Sequence, residues 1–128
     1  VTNRGQLLAH LVGDYVLQSH WMATEKAMAH GPAAAHALTY ALPFLALTRN
    51  PARLAAIAGT HFAIDRWRLA RHVVWAKNQF APADHRPPRT ATGYADDVPP
   101  WLATWLLIIA DNTLHGLCNA AVLWERCR

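Results

Sequence analysis

Apolar residues recur at three- and four-residue steps along most of the chain, and the pattern breaks where proline and glycine collect. That period predicts helices. Four helical stretches are expected. The first runs from about Arg4 or Gly5 to Ala29 and stops at Gly31-Pro32. The second covers about Ala33 to Thr48, with a kink at Pro43 because proline cannot donate to the helical ladder. Asn50-Pro51 opens the third, Asn50 as N-cap and Pro51 at the first helical position, and it continues to about Asn78. The proline-rich segment from Ala81 to Pro100 reads as a long loop. The fourth helix starts near Pro100 and extends to about Arg126. Alternation typical of strands is sustained nowhere, so the expected fold is all-α. It is a four-helix bundle-like single domain, residues 1–128, with the long loop between helices 3 and 4.

Composition complicates this picture. Apolar residues make up 53% of the chain and charged ones 16%, which implies a dominant core, a membrane-adjacent protein, or both. The stretch from Trp101 to Trp124 is apolar and long enough to span a bilayer, yet it contains Asp111, Asn112, His115 and Asn119. A buried central helix in a soluble or peripheral bundle explains this with less strain than a membrane span. The membrane reading stays open, since ionisable residues inside a span mark function. The formal charge is +4 without the eight histidines, and the basic residues are spread, not run together. A small phosphorylated partner fits that spread at least as well as a nucleic acid, for which no strong signal exists. A membrane surface is a second candidate partner, and the sequence does not set an oligomeric state. Cys118 and Cys127 are too far apart on one helix to pair, and the N-terminus lacks a signal-peptide layout. A cytoplasmic protein, in contact with the membrane if the apolar helix demands it, is expected. The tryptophans are expected mostly in core and interface packing.

The chemistry lies in a repeated spacing. His10 and Asp14 are four apart, as are His61 and Asp65, and Asp111 and His115 show the same step reversed. Four residues is about one helical turn, so each pair shares a face and can share a metal. With six aspartates in 128 residues, about one such pair is expected by accident, against three present. Each of these aspartates sits in an apolar stretch, where an uncompensated carboxylate is costly. Imidazole and carboxylate together suit a divalent transition ion, zinc or manganese first, with room for more than one. His10, Asp14, His61, Asp65 and Asp111 are the expected ligands. His36, in Ala-Ala-Ala-His-Ala-Leu, and His115 are expected as further ligands, orienting groups or proton shuttles, and so as the catalytic candidates. Gln18 and Lys26 extend the His10–Asp14 face through Met22 and are candidate substrate contacts, with Arg66, Arg68 and Arg71. His20, His30, His72 and His85 read as solvated surface residues.

The run His10-Leu-Val-Gly-Asp14-Tyr-Val-Leu-Gln18-Ser-His-Trp21-Met22, followed by Lys26, resembles the opening of an uncharacterised bacterial and phage family of unknown function. Ala-His36-Ala-Leu, His61-Phe-Ala-Ile-Asp65 and Asp111-Asn-Thr-Leu-His115 continue the resemblance over nearly the whole chain. Asn112, where glutamine is expected, and Arg66 to Arg68, where lysine is commoner, depart from it. The resemblance implies frequent membrane association and no established activity. More distantly, paired histidine and aspartate on helices resemble metal-dependent phospholipase C and P1-type nucleases, and membrane-bound metal-dependent hydrolases, at the level of motif alone.

Two functions follow as expectations. One is a metal-dependent hydrolase of a phosphoester or nucleotide-like substrate, using metal-activated water, with the loop from Ala81 to Pro100 as a lid. The other is a non-catalytic membrane-associated or interaction protein, in which the same residues form a structural metal site or a hydrogen-bonded core. Charges within apolar helices also allow an ion carrier.

Overall fold

Asn50 caps α4 (Pro51–Arg66) as its residue type dictates, its side-chain oxygen accepting from the backbone N–H groups of Ala52 at 2.9 Å and Arg53 at 3.3 Å. The computed structural model describes residues 3–124 and is all-α, with no strand among them. The other helices are α1 (Asn3–Leu11), α2 (His20–Glu25), α3 (His30–Ala41), α5 (Leu69–Asn78) and α6 (Pro100–Leu123). Short 3-10 turns cover Leu42–Ala46, where Pro43 falls, and Ala83–His85. Cys127 and the expected helix end at Arg126 lie outside the described residues.

Three boundaries differ from the pattern. The first expected helix is interrupted by a π turn at Val12–Val16, where the Leu17 N–H reaches back to the Val12 carbonyl at 3.0 Å. A fresh start follows at Ser19, whose hydroxyl accepts from the Met22 N–H at 3.2 Å. Gly31-Pro32, expected as a stop, occupies the first turn of α3, where a missing N–H costs nothing. The third expected helix breaks between α4 and α5 because Arg68 adopts the left-handed conformation, φ 50°. No glycine announces that break, and a non-glycine residue there stores about 1–2 kcal/mol.

The chain divides into two compact units, residues up to Trp67 with those from His115 onward, and Arg68–Leu114. The first is bundle-like, with α3 packed along α4 and against α2 and the π turn. Its apolar core gathers Ala9, Tyr40, Phe44, Ile57 and Leu123. Gly13 is required where the π turn meets α3, since a Cβ would fall 2.6 Å from Tyr40 Cδ2 and 3.0 Å from the Tyr40 carbonyl oxygen.

In the second unit the loop after α5 is pinned to that helix. Arg89 stacks on the Trp75 ring at 3.9 Å, and Asn78 donates to the Gly93 carbonyl at 2.8 Å. Gly93 has φ 81°, and a Cβ there would sit 2.5 Å from the Arg71 carbonyl. The tryptophans depart from the expected core packing, because Trp21, Trp67, Trp101, Trp105 and Trp124 are all exposed. Among the described residues α6 is long and apolar enough to cross a membrane.

Candidate metal centre

Four side chains from three segments of the first unit meet at one point: Asp14 from the π turn, His36 from α3, and His61 with Asp65 from α4. All four are buried. His36 Nε2 lies 2.8 Å from His61 Nε2, 3.1 Å from Asp14 Oδ1 and 3.2 Å from Asp65 Oδ2. His61 Nε2 lies 3.3 Å from Asp14 Oδ1 and 3.1 Å from Asp65 Oδ2. A single imidazole N–H donates along one direction and cannot satisfy three converging neighbours.

The distances have another meaning. Ligands bound tetrahedrally at about 2.0 Å stand about 3.3 Å from one another. The five separations here, 2.8–3.3 Å, are of the length of such ligand–ligand edges, slightly contracted. Two imidazole nitrogens and two carboxylate oxygens are a donor set suited to zinc and acceptable to manganese or iron. The residues therefore fit a divalent ion, with His36, His61, Asp14 and Asp65 as the groups able to hold it.

The outer carboxylate oxygens each face a histidine, one of them within hydrogen-bond distance. Asp65 Oδ1 faces His115 Nε2 at 3.3 Å, and Asp14 Oδ2 lies 3.6 Å from His10 Nδ1. Tyr40 ties the far side together. Asn119 donates to its hydroxyl at 2.7 Å, leaving the hydroxyl proton to point at His10 Nδ1, 2.8 Å away. The Tyr40 ring also stacks on His61, with centroids 3.5 Å apart and planes at 14°. Nδ1 of both His36 and His61 is buried without a hydrogen-bond partner. Packing, instead of the carbonyl or carboxylate usual behind a metal-bound histidine, orients these rings.

Burial alone would push the Asp14 and Asp65 carboxyls up. Hydrogen bonds from His36 and His61 to Asp14, and from His115, His36 and His61 to Asp65, outweigh it and hold both well below the usual carboxylate range. Burial pulls the His36 imidazole down, and its bonds to Asp14 and Asp65 more than reverse that. Both carboxylates are thus held in their charged form.

The expected residues are distributed unevenly around this point. Lys26 Nζ lies 2.8 Å from Asp65 Oδ2, and its side chain is 22% exposed, placing it on the wet edge of the centre. Gln18, with its amide turned to satisfy both ends, accepts from Lys26 Nζ at 2.9 Å and donates to the Asp14 carbonyl at 3.1 Å. His10 and His115 stand behind the carboxylates. Arg66 ties α4 to the segment before α3, donating to the Ala27 carbonyl at 2.9 Å and to His30 Nδ1 at 3.2 Å. Arg68 and Arg71 belong to the second unit, where Arg68 donates to the Ala91 carbonyl at 3.3 Å. Asp111, half-buried, also lies in the second unit, one turn before His115 along α6. Tyr40 and Asn119 were not among the expected site residues. Their signal was present: each follows a site histidine by four, Tyr40 after His36 and Asn119 after His115.

The chain matches the family described as Protein of unknown function (DUF3307) over residues 5–84. It belongs to that family. The match contains the four convergent residues together with His10, Gln18, Lys26 and Tyr40. No curated protein and no solved structure matches the chain, so the motif analogy to phospholipases and nucleases gains no support.

Proposed function

We propose, for this member of a family without an assigned activity, a metal-dependent hydrolase acting on a phosphoester or nucleotide-like substrate. The observation that carries the reading is the convergence of His36, His61, Asp14 and Asp65, whose ligand atoms all lie within 4.8 Å of one another. A divalent ion held by His36, His61, Asp14 and Asp65 would lower the pKa of a bound water and neutralise phosphoryl oxygens. The protein's own groups do the rest. His115, behind the Asp65 carboxylate, fixes which of its oxygens faces the centre. Lys26 and Gln18 stand at the solvent-facing edge, where an ammonium and an amide receive an anionic group. A phosphoryl oxygen bound there would compete with Asp65 for the Lys26 ammonium.

A second reading rests on one specific feature. Four buried protein groups would fill a tetrahedral shell, whereas a catalytic zinc site keeps one position open. On that reading the centre is structural and the protein is not an enzyme. A screen of nucleotides and chromogenic phosphate esters with added zinc, manganese or magnesium separates the two. The hydrolase reading expects turnover that Asp14→Asn and Asp65→Asn abolish while helical content survives. Lys26→Met should raise KM more than it lowers kcat. Metal bound at one ion per chain with no turnover in the screen would leave the structural reading in place.

A further inference from the structure

Asp65 Oδ2 has two competing claims on it. It faces the centre, 3.1 Å from His61 Nε2 and 3.2 Å from His36 Nε2, and it also lies 2.8 Å from Lys26 Nζ. Among the described residues, Lys26 is the one lysine or arginine within ion-pair distance of Asp14 or Asp65. A carboxylate oxygen offers two lone pairs. It cannot serve two imidazoles, an ammonium and a metal ion together.

The surroundings hold the ammonium in place yet leave it a way out. The Gln18 amide oxygen accepts from Nζ at 2.9 Å while its nitrogen donates to the Asp14 carbonyl at 3.1 Å. Lys26 caps the end of α2, its backbone N–H bonded to the Met22 carbonyl at 3.0 Å. Arg66 grips the next residue, donating to the Ala27 carbonyl at 2.9 Å. The backbone on either side of Lys26 is therefore tied down. Its side chain is a flexible four-carbon stem and is 22% exposed, so the ammonium can leave Asp65 for water by side-chain rotation alone. Charge gives the sequence of events. Without metal, the ammonium offsets one of two buried carboxylates. A divalent ion bound by neutral imidazoles balances both carboxylates. The ammonium is then a surplus positive charge beside a cation, which repels it and which an anion at the wet edge would relieve.

We infer that Lys26 is the resident cation of the metal-free centre, that a divalent ion displaces it from Asp65, and that the displaced ammonium then binds an oxyanion of the phosphate class. Metal and oxyanion therefore bind cooperatively, each tightening the other by the same factor. The inference rests on the metal centre proposed above and does not depend on turnover.

The test measures zinc affinity of the full chain by competition with a chromogenic chelator. Wild type, Lys26→Met and Lys26→Gln are compared in chloride and in inorganic phosphate at matched ionic strength. In chloride both variants should bind zinc about tenfold tighter than wild type, because the ion no longer meets a competing ammonium. Phosphate should improve zinc binding by wild type about fivefold relative to the variants, which lack the group that couples the two ligands. Complexation of free zinc by phosphate is the same for all three proteins and cancels in the comparison. Lys26→Gln carries the test alone should Lys26→Met lose its helical circular dichroism. Equal or weaker zinc binding by the folded variants in chloride would overturn the inference, since Lys26 would then be supporting the ligands and not competing with the ion. So would the same response to phosphate in all three proteins. A wild type that binds no zinc, manganese or iron would instead remove the metal reading itself, and this inference with it.

Discussion

Asp65→Asn removes one charge and little volume from the middle of the centre. In the wild type, Asp65 Oδ2 faces Lys26 Nζ at 2.8 Å, His61 Nε2 at 3.1 Å and His36 Nε2 at 3.2 Å, while Oδ1 faces His115 at 3.3 Å. The amide leaves the Lys26 ammonium without its counter-ion. Breaking a buried pair costs about 3–5 kcal/mol, and the part-exposed Lys26 side chain puts this case at about 3 kcal/mol. The larger effect is on metal. An ion present at about a thousand times its Kd stabilises the folded state by about 4 kcal/mol. At about 4 °C per kcal/mol for a chain of this size, chelation should lower the wild-type Tm by roughly 15 °C. With both losses together, about 7 kcal/mol, the variant should melt roughly 25–30 °C below metal-loaded wild type and should not respond to chelator. Differential scanning fluorimetry with and without chelator, paired with elemental analysis, reads both. A variant that retains one ion per chain and the wild-type chelator shift would show that Asp65 is not a ligand.

Three further substitutions probe the surroundings. Gly13→Ala places a methyl 2.6 Å from Tyr40 Cδ2 and 3.0 Å from a carbonyl; a loss of about 1–3 kcal/mol is expected in urea unfolding, and wild-type stability would mean that the π turn does not press on α3 as described. Tyr40→Phe deletes the hydroxyl shared by His10 Nδ1 and Asn119. It should cost about 2 kcal/mol while leaving metal stoichiometry unchanged, and loss of the metal would make Tyr40 part of the ligand set. Asn50→Ala removes the α4 cap and should cost about 1 kcal/mol, read as a lower Tm with no change in metal content.

Local chemistry was readable in the sequence and tertiary contact was not. Asn50-Pro51 announced the start of α4 because a cap and a fixed φ act within one turn. The four-residue steps at His10, Asp14, His61 and Asp65 announced a polar face within apolar helices. Which member of each pair reaches the common point depends on how α3 lies against α4. His36, with no acidic neighbour at four, has its Nε2 within 3.2 Å of three partners, while His10 stands behind Asp14. At the π turn Gly13 leaves room for Tyr40, a close approach between distant segments. The break at Arg68 uses a residue with no preference for its conformation. The tryptophans misled because an aromatic residue at helical spacing looks the same facing a core or facing outward.

Zinc K-edge X-ray absorption on the purified, zinc-loaded chain tests the central claim most directly. The expected shell is four nitrogen or oxygen atoms at about 2.0–2.1 Å, with the outer-shell scattering of two imidazoles. His36→Ala or His61→Ala should each remove one of the two imidazole contributions. Failure to bind zinc would contradict the account, and so would sulfur from Cys118 in the shell or a shell without imidazole.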